Sequence, residues 1–148
     1  VMTNPRYFRN GPRAGMAIVA LAGPMMNLLL AFIGSLMLRV LVLIEPSGGL
    51  LNATALQNLL QFANIFVQIN LYLMLFNLLP VGMLDGLKVL RGIAPYAWDG
   101  VLDQLERWGM VILMLLIFLP SFTGINPLGL LLGVPFNFLY SLLLMGIR

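Results

Sequence analysis

The stretch Asn77-Leu-Leu-Pro80-Val-Gly82-Met-Leu84-Asp85-Gly86 sets a carboxylate directly after a long apolar run. Pro80 cannot donate a backbone N–H and crowds the turn before it, and two glycines follow, so regular helix is broken over Pro80–Leu84. An ionisable group at the end of a membrane-crossing run is costly and is a functional candidate by default. The simpler reading makes Asp85 the cap of a helix over Gly86–Gly92. Both readings are open at this point.

Outward from that stretch, the composition decides the class. Of 148 residues, 61% are hydrophobic and 9% charged, and mean hydropathy is +1.00. Soluble domains carry about 25% charged residues. The expected fold is therefore an all-α membrane protein, a single small bundle of three to four transmembrane helices interrupted at Pro80–Leu84. The net charge of +3 comes from eight basic residues, Arg6, Arg9, Arg13, Arg39, Lys88, Arg91, Arg107 and Arg148. They flank apolar runs, the pattern of topology signals, and no nucleic-acid partner is expected. With no Cys and no His anywhere, disulfides, thiolate chemistry and His-based triads are excluded.

Residues 1–13 read as an extended basic approach segment on the cytoplasmic side. The first span is 14–44, and it contains Ala22-Gly23-Pro24-Met25-Met26-Asn27. Pro24 predicts a kink or a helix start, and Gly23 predicts close approach by a neighbouring backbone. Asn27 is either an interhelical hydrogen-bonding residue or part of a site. Arg39 is placed to snorkel to the far interface. Residues 45–53 form a loop without Lys or Arg, and Asn52 or Thr54 is an N-cap in preference to a glycosylation acceptor.

The second span, 55–79, is the most polar. Gln57, Gln61, Asn64 and Gln68 form one helical stripe, while Asn70 and Asn77 fall nearly opposite. Side-chain amides in hydrocarbon need partners, so this helix is expected between protein neighbours. A short helix over Asp85–Ile93, with Lys88 and Arg91, follows on the cytoplasmic side, then Tyr96 and Trp98 at headgroup level. A third span covers 101–119, a turn covers Pro120–Pro127, and 128–147 is a kinked span or a re-entrant segment broken by Gly133 and Pro135. This pattern puts both termini in the cytoplasm.

The two motifs together, Ala22-Gly23-Pro24-Met25-Met26-Asn27 and Asn77-Leu-Leu-Pro80-Val-Gly-Met-Leu84-Asp85-Gly86, resemble the site-2 protease family of intramembrane zinc metalloproteases. Asn4-Pro5-Arg6-Tyr-Phe-Arg-Asn10 resembles the segment before the Gly-Pro helix in short bacterial members. The similarity extends from about Asn4 to about Arg91. In such proteases an earlier helix carries His-Glu-x-x-His, whose His residues bind zinc and whose Glu activates water. The resemblance implies that Asp85 is the third zinc ligand and that Asn27 lies beside the site in a supporting role. It gives Gly23, Pro24, Asn70, Asn77, Pro80 and Gly86 motif or structural roles. Zinc would polarise the scissile carbonyl and lower the pKa of its water to about 7.

The sequence departs from that family in one decisive respect. It contains no His, and Leu87 stands where a second Gly often follows the Asp-Gly pair. A catalytic zinc needs about three protein ligands, so no zinc and no proteolysis are expected of this chain alone. Two readings result. In the first, the chain is part of a site-2-protease-like enzyme whose catalytic helix precedes Val1, with a transmembrane protein as substrate. In the second, it is a noncatalytic membrane subunit, a pseudoenzyme packed against other subunits in a larger complex. Both place it, among lipid, in the bacterial inner membrane. A small transporter fits poorly, because no inverted repeat or chain of membrane carboxylates is present.

Overall fold

The computed structural model describes residues 11–44 and 52–146. Among them there are five α-helices and no strand: α1 (Pro12–Ile44), α2 (Ala53–Asn77), α3 (Asp85–Ile93), α4 (Asp99–Thr123) and α5 (Pro127–Leu143), with a 3-10 turn at Tyr96–Trp98. Three of these segments are long and apolar enough to cross a membrane: Pro12–Leu43, Ala53–Asn77 and Tyr96–Thr123. The protein is an all-α integral membrane protein, as composition predicts. The Asn4–Asn10 motif, most of the approach segment and most of the 45–53 loop lie outside the described residues.

α1 starts at Pro12, which is favoured in the first turn because its missing N–H has no intrahelical partner there. The helix then runs unbroken through Pro24 to Ile44. Pro24 neither starts a helix nor ends one. It is fully buried. Asn52 is the N-cap of α2, and its Oδ1 accepts the Ala55 N–H at 2.7 Å. That choice decides between the two expected caps.

α1 and α2 pack antiparallel over Ala31, Leu38, Ala63, Val67 and Leu71, with Phe136 of α5 closing the core. Gly34 sits directly against Phe66 and Val67, which sets the register between the two helices. Counting about 1.5 Å per residue from that contact puts Gln61 level with Arg39, and Asn77 level with Gly23. Gln57 and Gln61 are exposed. They lie at or beyond the Arg39 level, and the expected enclosure of α2 does not extend to them. Lower on the stripe, Asn64 accepts a hydrogen bond from the Tyr140 hydroxyl of α5 at 2.6 Å. Asn70 is buried and donates back to Phe66 O of its own helix at 2.8 Å.

α5 lies against α2, stacking Phe136 on Tyr72 with centroids 4.1 Å apart. It is one continuous helix of 17 residues through Gly133 and Pro135. At about 25 Å it is shorter than a hydrocarbon core of about 30 Å. Arg39, expected to reach the far interface, donates to Leu143 O and Met145 O at 3.1 and 2.9 Å and satisfies carbonyls at the α5 C-terminus.

α4 differs from the expected third span in extent. It continues past Pro120 to Thr123, where Gly124 in the left-handed region closes it by donating to Pro120 O. A proline this near the C-terminus removes only one ladder bond, which explains why the turn is reduced to residues 124–126. α4 starts beside Arg13, to which Asp99 is ion-paired. It ends at Thr123, and residues 124–126 separate it from α5, which begins at Pro127.

Candidate functional site

The break begins earlier than Pro80. α2 ends at Asn77, because a proline crowds the carbonyl four residues before it and keeps its preceding residue out of the α region. Leu79 N–H reaches Phe76 O at 3.1 Å, Val81 N–H reaches Leu79 O at 2.8 Å, and Leu84 N–H closes a turn onto Val81 O at 3.2 Å. Gly82 has φ 57° at the second position of that turn, the left-handed region that favours glycine. Its Cα also lies against the backbone of Gly109 in α4, closer than any side chain would allow.

α3 then starts with Leu84 as N-cap and Asp85 as its first residue. The Asp85 side chain makes no capping bond, so Asp85 is not the cap, while the short helix has its expected bounds, Asp85–Ile93. A carboxylate in the first turn is still favoured by the helix dipole. Gly86 is buried, and a Cβ there would fall 2.1 Å from Leu78 O. This folds α3 back against the end of α2. Farther along, Gly92 packs on Ala17 of α1.

These contacts bring the two motifs together. One oxygen of Asp85, Oδ2, lies 3.2 Å from where a Cβ on Gly23 would be. Gly23 thus admits a carboxylate side chain, not the neighbouring backbone that its small size predicts. Asn27 is one turn along on the same face of α1, with its Cα–Cβ bond tilted back toward Gly23. Asn27 is half-buried and makes no side-chain hydrogen bond among the described residues. Asn77 is half-buried at the same level on α2. Pro80 is exposed in the break, and Asn70 sits two turns up α2, tied to its own helix.

The other Asp85 oxygen accepts from Lys88 Nζ at 3.0 Å. Sequence reasoning missed this ion pair, although the i, i+3 spacing was a usable signal. Lys88 also lines a cavity of about 460 Å³ with Arg13, Met16, Met83, Leu87 and Arg91. Arg91 donates to Asp103 and Glu106 of α4, both at 2.8 Å. Arg13 pairs with Asp99 and stacks over the Tyr96 ring at 4.1 Å from its centroid.

No group of three His, Cys, Asp or Glu that could hold a metal exists among the described residues. With no His or Cys in the sequence, Asp85 can supply one oxygen ligand, and these 148 residues alone do not fit a zinc site.

Over 120 residues the chain is 37% identical to "Putative zinc metalloprotease YwhC" of Bacillus subtilis (strain 168), a match covering 81% of this chain and 53% of that protein. The chain thus spans about half the length of the curated relative it matches. No family model and no solved structure matches. The relationship supports a zinc-metalloprotease-like family for this chain.

Proposed function

We propose that these residues form part of the active-site region of a site-2-protease-like intramembrane zinc metalloprotease. In this reading Asp85 is one metal ligand, Asn27 supports the site, and His ligands come from residues beyond the 148. The substrate is a transmembrane protein. The membrane is the bacterial cytoplasmic membrane, with the Arg13–Lys88–Arg91 end and both termini facing the cytoplasm. The observation that carries the reading is Asp85 Oδ2 seated on Gly23 of the Gly-Pro helix. Two motifs far apart in sequence meet there, next to an irregular backbone segment of the kind tolerated at membrane depth only in protein or beside a wet cavity.

The test is zinc content, together with cleavage of a model transmembrane substrate, for the complete gene product. One zinc per polypeptide and cleavage are expected, and Asp85→Ala abolishes both. A complete gene product without His-Glu-x-x-His and without zinc would overturn the reading.

A second reading, a noncatalytic membrane subunit, is favoured by the absence of His and by Lys88 already neutralising Asp85. There, Asp85→Ala removes only a partly exposed ion pair, at about 1 kcal/mol or less. The protein would then copurify with a larger membrane assembly in fixed ratio.

A further inference from the structure

The cavity beside Asp85 has a chemical character that the metal-ligand reading leaves unused. Met16, Met83 and Leu87 give it an apolar lining, and Arg13, Lys88 and Arg91 bring three cations to it against the single carboxylate of Glu106. Each cation carries a partner outside the lining, Lys88 with Asp85, Arg13 with Asp99 and Arg91 with Asp103, so a ligand would take these cations by exchange. Lys88 and Arg91 are three residues apart on α3, so they share a face and can act on one ligand. Their present ion pairs are partly exposed, at 48% and 32% side-chain exposure, and such pairs are weak enough to exchange for a ligand.

We infer that this cavity binds an apolar peptide segment ending in a free carboxylate, with Lys88 and Arg91 as its anion ligands. Apolar side chains fit the Met and Leu lining, and a carboxylate fits an ammonium beside a forked guanidinium. Hydrolysis of a peptide bond within a transmembrane helix produces one fragment of this form, and Lys88 joins the cavity directly to Asp85. The source of the ligand, though not the chemistry of the cavity, rests on the protease reading above. An anionic lipid shares the charge, but lipid recognition would give no reason for one of the cations to be shared with Asp85.

The experiment uses the complete protein in mild detergent and a short fluorescent Leu/Ala peptide, made once with a free C-terminus and once as the amide. Binding is read by anisotropy. The free acid binds about tenfold tighter than the amide, the scale set by charge-assisted hydrogen bonds. Lys88→Gln removes most of that preference without changing amide binding. Asp85→Asn, which releases Lys88 from its partner, leaves the preference intact or enlarges it. Equal binding of acid and amide overturns the proposal. So does loss of the preference when phosphatidylglycerol is added, which would assign the cavity to lipid. The two readings fail separately. A carboxylate preference in a protein without zinc leaves the cavity assignment and removes the protease. Zinc and cleavage without the preference do the reverse.

Discussion

α2 and α4 have similar length and similar apolar character, yet 28% of the most apolar window of α2 is buried against 6% for α4. The difference is in what they meet. α2 faces Gly34 of α1 with Phe66 and Val67, and its C-terminal end receives Gly86 of α3. Small residues there bring backbones close enough for dispersion contacts, which drive helix association where lipid is as apolar as leucine. α4 buries only Leu102 and Gly109, the latter on the Gly82 backbone, and pairs charges at its first turns. Hydrophobicity put both helices in the membrane, but only packing at small residues made one of them core.

The largest effect expected from this contrast is at the α2–α3 junction. Gly86→Ala puts a Cβ against the Leu78 and Leu79 carbonyls, which belong to the same tight segment and cannot retreat. A destabilisation of about 3 kcal/mol or more is expected, read as denaturation in mild detergent titrated with SDS. A change below about 1 kcal/mol would break the claim that this junction is rigid.

Gly109→Ala should cost less, about 2 kcal/mol. Its clash is with the Gly82 backbone, but α4 is little buried and can shift away. Gly100→Ala on the same helix is the control, since nothing lies within 4 Å of its Cβ position. It should gain about 0.5 kcal/mol from helix propensity. If both variants behave alike, Gly109 does not anchor α4.

The smallest effect is electrostatic. Arg91→Gln removes the pairs to Asp103 and Glu106, both partly exposed, and should cost about 0.5–1 kcal/mol. The loss should shrink as salt rises toward 1 M, where screening acts within about 3 Å. A loss that is independent of salt would mean that Arg91 acts through its aliphatic stem on the cavity wall.

Much of this was legible in the residues because its causes are local. Pro80 ends α2 by a clash within one turn, and Asn52 caps through a bond three residues away. The second motif was visible as an ionisable group at the end of an apolar run. The Lys88 partnership was available from spacing and was overlooked. The expected enclosure of the amide stripe failed at Gln57 and Gln61 because depth along the bundle depends on the offset between α1 and α2, which one helix alone cannot reveal.

The sequence by itself determined a membrane location, an all-helical chain, a break around Pro80 and a donor set too poor in His and Cys to hold zinc unaided. Composition and short-range backbone chemistry suffice for those. Tertiary structure alone decided that Asp85 lies on Gly23, that Lys88 both pairs with Asp85 and lines the cavity beside it, and that α4 buries little of its apolar surface. Each of these depends on which helix faces meet and at what offset, and that choice is made by small-residue packing between segments distant in the chain.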